Sequence, residues 1–389
     1  MRFLIIALLV GSYTVNAQVD SFPYFANHTD DISTITYSPN GKYVVSGSWD
    51  ATIAVQTTDR LGTLVHREEN YQGAINSIAF SRDNNWFIAG GQDGILNKYE
   101  FNDSFFSILT LDTSLTISEG QINKLIYGPG MRTIFCASHN GKFLTYDLAK
   151  DKVMPIDVKR PISAAAVALD RMSYFIATDG GAEISQYDIF GKLLRTFSGH
   201  TNEVTDMLVT LDRKFLISSS KDKTIRIWNI ATGKEEHQFT DHTWAVTDID
   251  MDAFGLYLVS GGLDGVVNVY SLKDRTKLKS VALENHKVNA VSLSPDLTKV
   301  AAAAQPKGVS NPAGYFAIPT DIASRKVKVP KTYVVKKIKQ APKASSKKKV
   351  NTTTISRSTA ATAKVTKPKK SGTVIKKTDQ IEIRIEDEK

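Results

Sequence analysis

Cysteine is almost missing from this chain: among 389 residues, Cys136 is the only one. A single thiol cannot close an internal disulfide, so no disulfide framework supports the fold. Cys136 lies in the apolar run 133–137, which predicts a buried thiol rather than a reactive nucleophile. The seven histidines are scattered along the chain, and no spacing typical of a metal site is present.

Motifs of known catalytic sites are missing as well. The sequence has no glycine-rich phosphate loop, no nucleophile elbow, no histidine–glutamate metal helix and no recognisable carboxylate pair. His200, Ser220 and Asp222 are of the residue types found in a hydrolytic triad, but a motif counts only in its structural context. We therefore predict a protein without catalytic activity, cofactor, metal or small-molecule substrate.

What the sequence does contain is an internal repeat. A histidine precedes an aspartate by the same 22 residues in three segments (28 to 50, 200 to 222 and 242 to 264), and a further position follows six residues later. Identical offsets indicate copies of one structural unit. Alternating apolar and polar residues, as in 32–37 and 204–207, predict that these units are built from strands. The three sets are His28, Asp50 and Gln56; His200, Asp222 and Trp228; and His242, Asp264 and Tyr270.

The fullest copy, 198–234, opens on Gly199 and His200, reaches Asp222 in a turn, and closes on Trp228 and Asn229. It resembles the tryptophan–aspartate (WD40) repeat, with Asn229 where that family usually has aspartate. The resemblance implies one four-stranded propeller blade per repeat, and blades that must stack in a ring. In the family, the histidine, a strand serine or threonine, the turn aspartate and the tryptophan form a buried polar chain, which is structural rather than catalytic. The implied members are His28, Asp50, His200, either Ser218 or Ser220, Asp222, Trp228, His242 and Asp264.

The repeat count predicts an all-β, seven-bladed propeller over residues 18–320, with six blades as the fallback. Blades two to four are degenerate, because Tyr71, Ser118 and Lys159 occupy their histidine position, and packing must hold them instead. The last copy begins at His286, and we expect its third strand at 313–319. Its outer strand is missing, and the apolar segment 20–25 is predicted to supply it and close the ring.

Residues 1–17 have the layout of a secretory signal peptide. Arg2 gives a positive start, an apolar stretch follows, and small residues precede a cleavage point after Ala17. A buried strand or a membrane anchor is the alternative, although the apolar run is too short to span a bilayer as a helix. The segment resembles a bacterial export signal, so we expect an exported protein of the periplasm or cell envelope.

The C-terminal segment 321–389 has a different composition. It holds 20 of the 49 Lys and Arg residues but only 6 of the 40 Asp and Glu residues, with few aromatics. This composition predicts a disordered basic tail. In an exported protein the tail would bind an anionic envelope surface or an acidic partner, and nucleic acid only if the protein is not exported. The alternating end, 380–386, is either a strand that pairs with a partner's sheet or, as we favour, a solvated end.

The resemblance also implies a partner-binding rim of turns at one end of the ring. The carried-over positions flank the first apolar residue of a blade or precede its turn aspartate, and Trp244 lies in a loop beside them. Exposed tryptophan among polar residues suits an interface centre, although Trp49 and Trp244 would alternatively cover neighbouring loops. The positions are Asp31, Ser33, Trp49, Ala74, Asn76, Gln92, Gln121, Asn123, His139, Glu203, Thr205, Lys221, Ala245, Thr247 and Leu263.

Three classes of function remain open at this point. We favour a non-enzymatic scaffold of the envelope that binds protein partners of unknown identity. The alternative is an intracellular scaffold for ribonucleoprotein assembly whose basic tail contacts nucleic acid. A propeller enzyme hidden in the degenerate blades would be recognised by a polar cluster or a bound metal in the central channel.

Overall fold

The computed structural model describes residues 22–59, 62–69, 71–102, 109–117, 120–128, 133–148, 150, 152–168, 173–307, 313–322, 335–337 and 381–383. The chain divides into two units, residues 1–326 and 327–389. The predicted signal peptide and most of the predicted tail lie outside the described residues. Within the described part, no helix is long and apolar enough to cross a membrane.

Six blades of the ring are each built from four consecutive antiparallel strands. Short alternating segments rich in Val, Ile and Tyr form them, separated by turns that carry Asp, Asn and Gly. The strands of blades one to three are β2 (Ile32–Tyr37), β3 (Tyr43–Ser48), β4 (Ile53–Thr57), β5 (Leu64–Glu68), β6 (Ile75–Phe80), β7 (Trp86–Gly91), β8 (Ile95–Phe101), β9 (Leu109–Thr116), β10 (Ile122–Tyr127), β11 (Thr133–Ser138), β12 (Lys142–Asp147) and β13 (Lys152–Asp157). Those of blades four to six are β14 (Ile162–Val167), β15 (Ser173–Thr178), β16 (Ile184–Asp188), β17 (Leu193–Phe197), β18 (Val204–Val209), β19 (Phe215–Ser220), β20 (Ile225–Asn229), β21 (Glu235–Phe239), β22 (Val246–Met251), β23 (Tyr257–Gly262), β24 (Val266–Ser271) and β25 (Thr276–Ala282).

The seventh blade joins the two ends of the ring. Its first three strands are β26 (His286–Leu293), β27 (Lys299–Pro306) and β28 (Ala313–Pro319), and its outer strand is β1 (Tyr24–His28). The prediction of seven blades, with an N-terminal strand completing the last one, is therefore confirmed. Pairing places Tyr24 beside Phe316 and Phe25 beside Tyr315, with ring centroids 4.7 and 5.1 Å apart.

The core lies between neighbouring blades, where apolar side chains from two adjacent sheets interdigitate. Val45 and Ile53 of blade one, for example, pack with Ile75 and Phe87 of blade two in one buried cluster. Each sheet is therefore covered on both faces, as a ring of blades requires. Packing continues just past the last strand, because Ile322 is buried against the core of blades six and seven.

Aromatic packing dominates the degenerate blades three and four. Phe135, Phe143, Tyr174 and Tyr187 stack in sequence with centroid separations of 5.8, 4.6 and 5.5 Å. These contacts stabilise the blades where the full polar chain is missing. Cys136 is buried in the same region, and burial raises the pKa of its thiol to about 12, so it is not a nucleophile at neutral pH.

The second unit contains two described strands, β29 (Val335–Lys337) and β30 (Ile381–Ile383), which pair antiparallel. Residues 381–383 of the alternating end thus pair with another strand of the same unit, while the solvated end that we favoured for 380–386 stays a prediction. Ile322, which we assigned to the tail, packs on the propeller core instead. Apart from Asp321, Ile322 and the two strands, the predicted tail lies outside the described ranges.

Candidate functional site: the rim and the central channel

Blade five contains a continuous chain of four buried side chains. The Asp222 carboxylate lies 2.7 Å from Nδ1 of His200, and Nε2 of His200 lies 2.8 Å from Oγ of Ser218. Trp228 donates its Nε1–H to the same serine oxygen at 2.8 Å. Because a carboxylate only accepts and an indole only donates, a neutral His200 donates from Nδ1 and accepts the serine proton at Nε2. Each buried polar group is thereby satisfied.

Asp222 is the anchor of this chain. Its carboxylate also accepts hydrogen bonds from the backbone N–H of Thr201 at 3.1 Å and from the Thr224 hydroxyl at 2.6 Å. Burial alone would raise the pKa of Asp222, but the hydrogen bonds from His200 and Thr224 outweigh burial and hold the pKa well below its ordinary value. The carboxylate is therefore ionised at neutral pH.

The choice between Ser218 and Ser220 is settled by their contacts. Ser218 joins His200 to Trp228, whereas Ser220 donates to the Asn202 carbonyl and accepts from the Asp222 N–H at 3.0 Å each. Ser220 thus shapes the turn that presents Asp222. Both serine side chains are fully buried, so neither is accessible to a substrate.

Blades one and six carry shorter versions of the chain. In blade six, His242 joins Asp264 at 3.1 Å to Ser260 at 2.7 Å. In blade one, His28 joins Asp50 at 3.3 Å to Ser46 at 2.8 Å, although His28 itself belongs to the outer strand of blade seven. The Trp228 position is taken by buried Gln56 in blade one and by buried Tyr270 in blade six. His28 therefore ties the closing strand to the first blade.

Backbone hydrogen bonds build the rim from pairs of positions. The residue before the first strand of a blade accepts, through its carbonyl, a hydrogen bond from the N–H of the residue after the second strand, at 2.6–2.9 Å. Fourteen residues, one pair from each of the seven blades, thus lie at the same end of the ring. The pairs of blades four and seven were not predicted, because Gly180 and Gly308 stand where the other five blades have Asp or Asn. The pairs are Asp31 with Trp49, Ala74 with Gln92, Gln121 with His139, Pro161 with Asp179, Glu203 with Lys221, Ala245 with Leu263, and Asn285 with Lys307.

The rim carries large exposed aromatic surface beside charges. Trp49 and Trp244 are 60% and 65% exposed. Gln92, His139 and Lys221 are also exposed, and Leu263 is half-buried. Lys221 pairs with Glu203 at 2.8 Å, so blade five presents a fixed ion pair. An exposed tryptophan flanked by polar groups is the composition of a protein-binding surface.

Five other predicted rim positions lie on the inner strands and connect neighbouring blades. Each donates a side-chain hydrogen bond to the carbonyl of the opening apolar residue in the first strand of the next blade. These side chains are half-buried, so they hold the ring together in addition to facing its channel. The bonds run from Ser33 to Ile75, Asn76 to Ile122 (2.9 Å), Asn123 to Ile162 (2.7 Å), Thr205 to Val246 (2.8 Å) and Thr247 to Val288 (2.8 Å).

A cavity of about 260 Å³ occupies the channel and is lined by residues from the first strands of all seven blades. Lys124 of blade three extends across it and donates to Oδ1 of Asp206 in blade five at 2.7 Å. Asp248 and Asp250 of blade six lie beside this ion pair. Sequence reasoning missed this cluster. Lys124, Asp206 and Asp248 share one repeat position, two residues after the opening apolar residue, and that shared position was the available signal.

The channel contains the polar cluster that would mark a propeller enzyme, so its chemistry matters. Asp248 accepts from the Val291 N–H at 2.8 Å, and Asp250 accepts from the Leu293 N–H at 2.8 Å. Within the described residues, no group of three or more His, Cys, Asp or Glu side chains could hold a metal ion. Backbone N–H groups and a lysine hold the carboxyl groups of this cluster in place. The cluster is therefore suited to binding a charged group.

Comparison with known proteins agrees with this geometry. The family model of the WD domain, G-beta repeat, matches residues 20–55, 62–99, 191–229 and 233–271. The first two segments span most of β1 to β8, from the closing strand of blade seven to the third strand of blade two, and the last two span β17 to β24, from the outer strand of blade four to the third strand of blade six. They include all three histidine–aspartate pairs. Blade three and the first three strands of blades four and seven lie outside the matches.

Relatives share the repeat at low identity. Periodic tryptophan protein 2 homolog of Dictyostelium discoideum is 23% identical over 61% of this chain and 26% of its own length. WD repeat domain-containing protein 83 homolog of the same organism is 19% identical, over 63% of this chain and 96% of that protein. Protein ROOT INITIATION DEFECTIVE 3 of Arabidopsis thaliana is 30% identical over 38% of this chain and 36% of its length. Four segments of this chain thus resemble the WD repeat, and the closed ring of seven four-stranded blades is a β-propeller.

Proposed function

We propose that this protein is an exported, non-enzymatic scaffold whose rim binds a protein partner and whose basic C-terminal segment attaches it to an anionic surface. WD40 propellers are generally scaffolds for protein–protein interaction. The observation that carries the rim proposal is the exposure of Trp49 and Trp244 at the end of the ring where backbone-paired positions converge.

The rim is suited to binding because the backbone of its turns is held rigidly while the outward side chains are free to vary. Backbone hydrogen bonds and the buried polar chains fix each turn, so the outward side chains are presented with little entropy left to lose on association. Trp49 and Trp244 supply apolar area, and Gln92, His139 and Lys221 supply a polar border.

We expect the double variant Trp49→Ala, Trp244→Ala to lose most of the crosslinking to its native partner while keeping the wild-type melting temperature. Both side chains are mostly exposed, so their removal leaves the core intact. The measurement is crosslinking in the native cell fraction, read by mass spectrometry.

Phe190→Ala is the matched control. Phe190 is 86% exposed but lies in the turn between β16 and β17, at the end of the blade opposite the rim. Its removal is expected to leave partner crosslinking unchanged. Equal crosslinking by wild type and the tryptophan double variant would contradict the rim proposal.

Export and attachment are a separate part of the proposal. They rest on the three-part pattern of residues 1–17 and on the excess of lysine in 321–389. The resemblance of residues 1–17 to a bacterial export signal favours the periplasm or cell envelope as the destination. The relatives described above come from eukaryotes. They agree equally well with the alternative, an intracellular scaffold whose basic tail contacts nucleic acid.

N-terminal sequencing of the protein from fractionated native cells is expected to give Gln18 as the first residue, outside the cytoplasm. A chain ending at Lys326, which retains buried Ile322, is expected to keep its melting temperature and to lose attachment that high salt disrupts. An intact Met1 in a cytoplasmic or nuclear fraction would contradict export, and retention by nucleic acid would then support the alternative.

A further inference from the structure

The channel cavity has an unbalanced charge. Among the described residues that line it, Lys124 is the one cation, against the carboxyl groups of Asp206, Asp248 and Asp250. Burial and the neighbouring Asp206 raise the pKa of Asp248 well above its ordinary value, and burial raises the pKa of Asp250 to about 6. Both shifts favour the protonated form of these carboxyl groups, chiefly because burial disfavours their charged form.

One carboxylate oxygen in the cluster is left open. Asp206 is only 3% exposed, and its Oδ1 accepts from Lys124. Its Oδ2 is buried and accepts no hydrogen bond from a backbone, hydroxyl or lysine donor among the described residues; only a protonated Asp248 shares a proton with Asp206. An ammonium donor that replaced this proton would leave both carboxyl groups charged and paired, so it would be bound favourably.

We propose that the central channel binds a primary ammonium group at the open side of Asp206, with Asp248 as the second carboxylate. Lys124 shows that Asp206 can bind an ammonium group, because the Lys124 ammonium nitrogen lies 2.7 Å from the Asp206 carboxylate. Blade four has Ala164 at the position that holds Lys124 in blade three and Asp206 in blade five, so a small side chain stands between them. The polar inner strands, with Ser33, Asn76 and Thr247, allow a hydrated cation to enter.

This site is independent of the proposed rim interface. The ammonium group has two possible sources, a lysine side chain on a peptide segment or a free polyamine. Both present the same –NH₃⁺ donors to a carboxylate pair.

The test is calorimetric titration of the full chain with N-acetyl-lysine methylamide and, separately, with spermidine. Saturable binding of the lysine derivative, and its loss when the side chain is acetylated, would identify the ammonium group as the ligand. Tighter binding of spermidine would point to a polyamine, and equal or weaker binding would point to a lysine.

Two variants predict opposite changes in affinity. Lys124→Met removes the resident competing cation and is expected to tighten ammonium binding about tenfold or more, whereas Asp206→Asn is expected to weaken it by a similar factor. Lys98→Met is the matched control, because Lys98 forms a comparable 2.9 Å ion pair with Asp112 on an outer strand. This control variant is expected to leave the affinity for both ammonium probes unchanged.

The inference is overturned if neither wild type nor Lys124→Met binds either probe while both remain folded by circular dichroism. It is equally overturned if binding occurs but Asp206→Asn leaves the affinity unchanged. Because both titrations use defined probes, failure of the rim to capture a partner would not affect the result.

Discussion

Asp222→Ala is expected to lower the free energy of unfolding by about 1–3 kcal/mol, because it leaves several buried donors without an acceptor. His200, Thr201 and Thr224 all donate to this carboxylate, and Trp228 depends on the same chain through Ser218. Denaturant unfolding followed by tryptophan fluorescence measures the loss.

The stability lost in Asp222→Ala should depend on pH in a definite direction. The folded-state pKa of Asp222 is depressed, so its stabilisation is present above the ordinary carboxyl range and is lost as pH falls below it. The difference between wild type and Asp222→Ala should therefore be full at neutral pH and shrink below about pH 4. Asp93→Ala is the control, because blade two has Tyr71 at the histidine position, and we expect it to cost less than half as much. Equal losses for both variants would remove the special role of the histidine–aspartate pair.

Removal of the closing strand is expected to have a still larger effect. A chain that begins at Thr29 lacks all of β1, which leaves β28 with an open edge and removes His28 from its bonds to Ser46 and Thr52. Together with the lost aromatic contacts of Tyr24 and Phe25, this should lower the free energy of unfolding by about 5 kcal/mol and promote aggregation.

Thermal unfolding and light scattering are the measurements. A chain that begins at Gln18 retains β1 and should match the full-length protein. His28→Ala should cost only about 1–3 kcal/mol, because it breaks the polar chain and keeps the strand. Wild-type stability in the chain that begins at Thr29 would show that β1 does not close the ring.

The fold was predictable because the repeat signal is local and is repeated. The offset from His200 to Asp222 reappears in two other blades, and the need for an N-terminal outer strand followed from counting strands. We expected that strand at 20–25, whereas β1 spans Tyr24–His28 and includes the first histidine of the repeat. Individual side-chain contacts could not be predicted from the sequence as readily. Ser218 and Ser220 are both strand serines near the same aspartate, and only the backbone register decides which one faces His200.

The channel cluster could not be derived from the sequence because its members come from different blades. Lys124 and Asp206 are 82 residues apart, and their contact depends on the ring bringing blades three and five to face each other across the channel. Similarly, Asn76 and Asn123 were predicted for the rim from their position in the repeat. Their bonds to the next blade depend on the spacing between sheets. Pairwise geometry across a closed ring is a property of the whole domain.

The pairing of β1 with β28 has a consequence for the order in which the molecule is completed. The ribosome makes Tyr24 early but cannot supply its partner Phe316 until nearly the whole propeller has been synthesised. At about 5–20 residues per second, that delay lasts about 15–60 s. During this interval the first strand is without its native neighbour, and no earlier blade offers the correct one. Closure of the ring is therefore the last event of assembly, and the ring of the nascent protein stays open until its seventh blade has been translated.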